Sequence, residues 1–104
     1  RWPRPASRCA MSLEFLAELD RLIESRRGAD PGESYTARLL DAGIERVAQK
    51  VGEEGVETAL ALVTRDADGV LDEAADLLYH LLVALRARGV GLSELTDRLA
   101  ARRR

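Results

Sequence analysis

The sequence predicts an all-α protein: a bundle of about four to five helices, completed by homodimerisation. Three observations carry this reading. Aromatic residues make up only 4% of the 104-residue chain, while Ala, Leu, Glu and Arg dominate, a mix of strong helix formers. Apolar residues recur at helical spacing between glycines, and no window alternates with period two over β-branched residues. One segment is apolar over more of its circumference than a small bundle can cover.

Residues 1–11 stand apart from the rest. The first ten hold Trp2, Pro3, Pro5 and Cys9, with Arg1, Arg4 and Arg8 and no acid. They read as an upstream extension or tag-like segment, expected to be poorly ordered. A basic arm touching a partner is the rival reading, and three arginines make a weak electrostatic footprint for it. Residues 12–104 read as a single α-helical domain, as expected for a chain this short.

Within that domain each helix has its signals. Ser12 is expected to cap a first helix whose apolar positions are Leu13, Phe15, Leu16, Leu19, Leu22 and Ile23. Arg26-Arg27-Gly28 closes it, with cations in the last turn and glycine just past it. Asp30-Pro31-Gly32 is a turn sequence. Ser34 caps a short helix through about Ala42, and Gly43 breaks it. A long helix follows, from about Ile44 to Thr64. Asp66 to Gly69 is the next connector, with Asp66 or Asp68 as the cap. The fourth helix runs from about Val70 to Arg88, ended by Gly89 and Gly91. Ser93 caps a last helix through Leu95 and Leu99. In the fourth helix Val70, Leu71, Ala74, Leu77, Leu78, Leu81, Leu82 and Leu85 form the wide apolar face. Five short helices can hardly surround it alone, so a second copy of the chain is expected to share the core.

Charge and composition exclude several classes. Residues 11–104 carry 13 basic and 18 acidic residues, a net of 13 − 18 = −5. Residues 41–76 hold 10 acids against Arg46, Lys50 and Arg65. A nucleic-acid binder would show the opposite sign. The terminal Arg102-Arg103-Arg104 is more simply a cationic helix end. One cysteine permits no disulfide framework and no cysteine zinc site. No stretch is long and apolar enough to span a bilayer, and no signal-peptide pattern is present. A cytoplasmic protein is the plain expectation.

The acids have a pattern: E-E-x-x-E, fifteen residues, then E-x-x-D. At about 100° per residue, Lys50, Glu53, Glu54 and Glu57 share one face of the long helix. Glu73, Asp76 and His80 share one face of the next. Like charges this close repel by a few tenths of a kcal/mol per pair, and Gly52 and Gly55 each cost the helix about 1 kcal/mol against alanine. A helix that accepts both costs where it is most acidic suggests a cation there. Hard divalent ions take such carboxylates, and Mg²⁺ also contacts substrate phosphates. The residues alone leave two readings open: a divalent-metal site, or solvated acidic faces with Lys50 pairing with Glu54. His80 is either a buried, hydrogen-bonded histidine or a group near phosphates or a site carboxylate. Tyr35 is either packing or a substrate contact.

Three blocks bear a resemblance. They are Ser34-Tyr35-Thr36-Ala37-Arg38-Leu39-Leu40, Gln49-Lys50-Val51-Gly52-Glu53-Glu54-Gly55-Val56-Glu57-Thr58, and Asp72-Glu73-Ala74-Ala75-Asp76-Leu77-Leu78-Tyr79-His80-Leu81-Leu82. Together they closely resemble the phosphoribosyl-ATP pyrophosphatases of histidine biosynthesis, in the all-α, MazG-like NTP pyrophosphatase superfamily. The likeness covers about residues 12–101. The acidic pattern alone indicates only the superfamily. The resemblance implies Mg²⁺-dependent hydrolysis of phosphoribosyl-ATP to phosphoribosyl-AMP and pyrophosphate, with Mn²⁺ as a possible substitute. It implies Glu53, Glu54, Glu57 and Asp76 as metal ligands, with Glu73 a ligand or the residue that orients water. Lys50, Arg46 and Arg38 would meet phosphate charge, and Tyr35 and His80 are the further candidates for substrate contact. The family usually has alanine where Gly55 stands. Some members are fused to the cyclohydrolase of the next step; its cysteines are absent here, so the chain is expected to be monofunctional. The alternatives are a house-cleaning pyrophosphatase for non-canonical nucleotides and a catalytically silent helical dimerisation module.

Overall fold

The computed structural model of the chain describes residues 12–103. The upstream segment lies outside the described residues, as does the side chain of Ser12, expected to cap the first helix. Five helices follow in order: α1 (Ser12–Ser25), α2 (Tyr35–Ala42), α3 (Ile44–Thr64), α4 (Ala67–Ala87) and α5 (Leu92–Ala101). The described residues contain no strand, and the protein is all-α as its composition predicts.

Local chemistry sets the helix ends. Ser34 is extended, and its hydroxyl accepts from Ala37 N at 3.1 Å, starting α2. Gly43 turns the chain from α2 into α3 in one residue, at a φ of 100° that a side chain would resist. At α4 the structure departs from the expected start at Val70. Asp66 is the cap, its Oδ1 accepting from Gly69 N at 3.0 Å, so the helix begins three residues earlier. Gly69 belongs to its first turn rather than to a connector. The Arg65 side chain lies over it, where a Cβ would meet Arg65 at 2.7 Å. Ser93 does not cap α5. The helix starts at Leu92, where Glu94 accepts from Gly91 N at 2.9 Å and Asp20 from Leu92 N at 3.1 Å. A carboxylate from α1 thus does what a local serine was expected to do.

The α3–α4 hairpin is the backbone of the domain, with α1 and α2 packed across it. Leu19, Ile23, Leu39, Val47, Tyr79, Leu82 and Val83 form the core, edged by Phe15, Leu22, Leu40, Ala84 and Leu92. Burying a side chain of this kind is worth about 1.5–3 kcal/mol. Arg86 and Asp20 fasten α1 to the end of α4 through two bonds, Nε to Oδ1 at 3.0 Å and Nη2 to Oδ2 at 2.6 Å. Such bidentate pairs are the strong ones.

The wide apolar face of α4 is only partly covered. Leu82 is fully buried, but Leu71 is 65% exposed and Leu78 stands in solvent too. On α3, Val56, Leu60 and Val63 form an exposed stripe at i, i+4, i+7. No helix of the described residues is long and apolar enough to cross a membrane.

Candidate metal centre

The hairpin brings the two acidic faces together. Carboxylate oxygens of Glu54 and Glu57 on α3 and of Glu73 on α4 all lie within 4.8 Å of one another. Glu54 is the buried member, 7% exposed. Its Oε2 is enclosed and has no hydrogen-bond partner. Its Oε1 lies 3.9 Å from Lys50 Nζ and 3.8 Å from His80 Nδ1. An ionised carboxylate left this way is costly unless something cationic completes it.

The electrostatics agree. Burial raises the Glu54 carboxyl above its ordinary range, and the charges of Glu57 and Asp76 raise it further against the pull of Lys50. Desolvation raises Glu73 as well, followed by a hydrogen bond with Glu57 and that residue's charge. Three carboxylates held this close, one of them buried, favour a positive charge among them. A divalent ion would supply it. The donors are hard oxygens, as Mg²⁺ and Mn²⁺ prefer. The residues present therefore fit a divalent metal.

Other expected residues fall around this triad. Asp76 is near enough for its charge to act on both Glu54 and Glu73. Glu53 is not one of the three clustered acids; it is held by Gln49 Nε2 at 3.0 Å, with Lys50 at 3.8 Å. Lys50 bridges Glu53 and Glu54, ammonium towards the site. Arg46 is exposed on α3. Arg38 donates to Pro31 O at 3.2 Å, and its guanidinium lies 5.5 Å from the Tyr35 ring centre. Tyr35 bonds through its hydroxyl to His80 Nε2 at 2.9 Å, and His80 is 5% exposed.

Two residues of the site have no role in the sequence reading. Thr58 Oγ1 lies 2.7 Å from Glu54 O and 3.1 Å from Glu73 O, sharing its proton between the helices that carry the acids. Arg65 crosses Gly69 to reach Glu73 Oε2 at 3.3 Å. A threonine at i+4 from Glu54 gave a faint signal, since β-branched residues are not favoured in helix interiors. Arg65 gave none, because its partner depends on where α4 begins.

Comparison with known proteins bears on this geometry. The profile of the phosphoribosyl-ATP pyrophosphohydrolase family matches residues 16–103. The chain belongs to that family. A phosphoribosyl-ATP pyrophosphatase of Azorhizobium caulinodans is 56% identical over 89 residues, covering 86% of this chain and 82% of the relative. A histidine biosynthesis bifunctional protein HisIE of Xanthomonas axonopodis is also 56% identical over 89 residues, 86% of this chain and 43% of the relative. Its counterpart in Xylella fastidiosa (strain Temecula1) is 55% identical over 91 residues, 88% of this chain and 44% of the relative. The chain thus spans less than half the length of these bifunctional relatives. The family match includes both helices of the acidic hairpin.

Proposed function

We propose that the chain hydrolyses phosphoribosyl-ATP to phosphoribosyl-AMP and pyrophosphate, the second step of histidine biosynthesis, at a Mg²⁺ centre on the α3–α4 hairpin. Mn²⁺ would serve in its place. One observation carries the site: the buried Glu54 carboxylate, one oxygen unpartnered, gathered with Glu57 and Glu73. The family supports the substrate.

Glu54, Glu57, Glu73 and Asp76 would hold the metal, with Glu53 at the rim. When bound, the ion supplies positive charge to the phosphate oxygens and lowers the pKa of water. The chain's own groups do the rest. Glu73, raised above its ordinary range by desolvation and by Glu57 and oriented by Arg65, is suited to take a proton from the attacking water. Lys50 offers an ammonium at the edge of the triad to the departing pyrophosphate. Arg38 on α2 and Arg46 on α3 are exposed cations that would meet an incoming polyanion. A recess of about 400 Å³ is lined by Arg26, Ala29, Asp30, Glu33, Ser34 and Tyr35. Tyr35 belongs both to this recess and to the hydrogen-bonded chain that runs through His80 to Asp76 O. Its polar lining suits the hydroxyls of a ribose.

Initial rates test the proposal. Turnover of phosphoribosyl-ATP should be negligible in EDTA and return with Mg²⁺ or Mn²⁺; full turnover in chelator would sink it. Against a panel of free NTPs and dNTPs, phosphoribosyl-ATP should be the preferred substrate. A preference for the panel would favour a house-cleaning enzyme. A chain with no saturable Mn²⁺ heat would be a silent helical module.

We also propose that the chain works as a homodimer or higher homo-oligomer. The exposed stripes Val56-Leu60-Val63 and Leu71-Leu78 support this, since a monomer gains nothing by leaving them wet.

A further inference from the structure

Behind Glu54 lies a buried ring that the hydrolysis itself does not use. His80 Nδ1 is 2.8 Å from Asp76 O and 3.8 Å from Glu54 Oε1. A carbonyl only accepts, so Nδ1 carries the proton. In the tautomer with its proton on Nδ1, Nε2 is the acceptor and the Tyr35 hydroxyl donates to it at 2.9 Å. Two edge-on contacts hold the plane of the ring, with Tyr35 at 5.9 Å and Tyr79 at 5.1 Å between centres. Tyr79 is itself hydrogen-bonded to Thr36. The first turn of α2 therefore sets the orientation of a histidine on α4 whose tautomer the Asp76 carbonyl fixes. At 5% exposure that histidine has almost no surface to present to a nucleotide.

We propose that His80, with its tautomer set by the Asp76 carbonyl and its ring held by Tyr35, is a positioning residue for the metal centre. Its Nδ1–H pins the α4 backbone at Asp76 and turns the positive edge of the ring towards Glu54. Those two acids come from different helices, and the ring fixes one relative to the other. The proposal rests on the metal-centre reading above. Groups that orient metal ligands from behind typically cost about 10–100-fold in metal affinity when removed.

Mn²⁺ titration calorimetry on the full chain tests it, with circular dichroism to confirm helicity. His80→Asn keeps a donor where Nδ1–H stands, whereas His80→Gln reaches only the Nε2 position. Both lose the same ring packing, so a merely structural role would move them together. The expected result is near-wild-type Mn²⁺ affinity in His80→Asn and about 10–100-fold weaker binding in His80→Gln. Tyr35→Phe, which keeps the ring contact but removes the bond that holds Nε2, should weaken binding by a smaller factor. Equal affinity in wild type and His80→Gln, or retention by Gln and loss by Asn, overturns the proposal. If either histidine variant fails to fold, Tyr35→Phe decides: weaker Mn²⁺ binding at unchanged helicity supports it, and unchanged affinity overturns it. A wild-type chain with no saturable Mn²⁺ heat overturns the metal centre itself, an outcome distinct from variants that match a binding wild type.

Discussion

Glu54→Gln should make the metal-free protein more stable while destroying its function. Wild-type Glu54 is buried beside Glu57, Glu73 and Asp76, with Oε2 unpartnered. An unsatisfied buried polar atom costs about 1–3 kcal/mol. Repulsion adds a few tenths of a kcal/mol per like-charged pair, and attraction to Lys50, four residues earlier, returns a similar amount. A neutral amide removes the repulsion and can donate to the neighbouring acids. The net expectation is about 1 kcal/mol of added stability, or about 4–8 °C in Tm for a domain of this size. Saturation with metal should reverse the order. At Mn²⁺ a hundred times the wild-type Kd, wild type gains about 2.7 kcal/mol. A variant binding about a hundredfold more weakly gains about 0.4 kcal/mol at the same concentration. The assay is thermal unfolding of both proteins in EDTA and in Mn²⁺, followed by initial rates, where kcat should fall by about 10²–10⁴-fold. The reasoning is refuted if the variant is no more stable in EDTA, or if Mn²⁺ raises both proteins equally.

Further expectations follow from other residues. Because the folded state raises the Glu54 carboxyl above 4.5, stability from this group is present at low pH and lost as pH rises through the folded pKa. The advantage of Glu54→Gln in EDTA should therefore vanish below about pH 4.5, where Glu54 is protonated in both states, as urea unfolding across pH 4–8 can check. Asp20→Ala removes both bonds to Arg86 and the cap on Leu92 N, and should cost about 3 kcal/mol, lowering Tm by about 12–24 °C. Asp20→Asn, which keeps an acceptor for the cap, should lose less in the same scan. Gly55→Ala should add about 1 kcal/mol without altering Mn²⁺ affinity, since its Cβ meets nothing within 4 Å. Leu60→Glu should shift the mass seen by light scattering from oligomer to monomer; a monomeric wild type would refute the shared core.

Much of this protein was legible in its sequence because the signals were local. Helical periodicity and glycine placement located α3 at Ile44–Thr64 and α2 at Ser34 to Gly43, since caps and breakers act on their own backbone. The same periodicity put the acids on two coherent faces, and the surrounding blocks pointed to the family. What stayed hidden depended on partners far away in the chain. Ser93 looked like the cap of α5 until Asp20, 72 residues earlier, was seen to accept from Leu92 N. The reach of Arg65 across Gly69 to Glu73 likewise joins two elements, which no propensity records.

The site divides in the same way. The sequence alone determined which residues could bind a cation, because residue type and spacing decide which charges share a helix face. Only the tertiary structure decided their ranks. Packing of α3 on α4 buried Glu54, drew Glu57 and Glu73 to it and left Glu53 at the rim with Gln49 and Lys50. It also placed His80 behind the acids instead of in front of them. Faces are a property of one helix, whereas burial, an unpartnered oxygen and a raised carboxyl arise only when two helices meet.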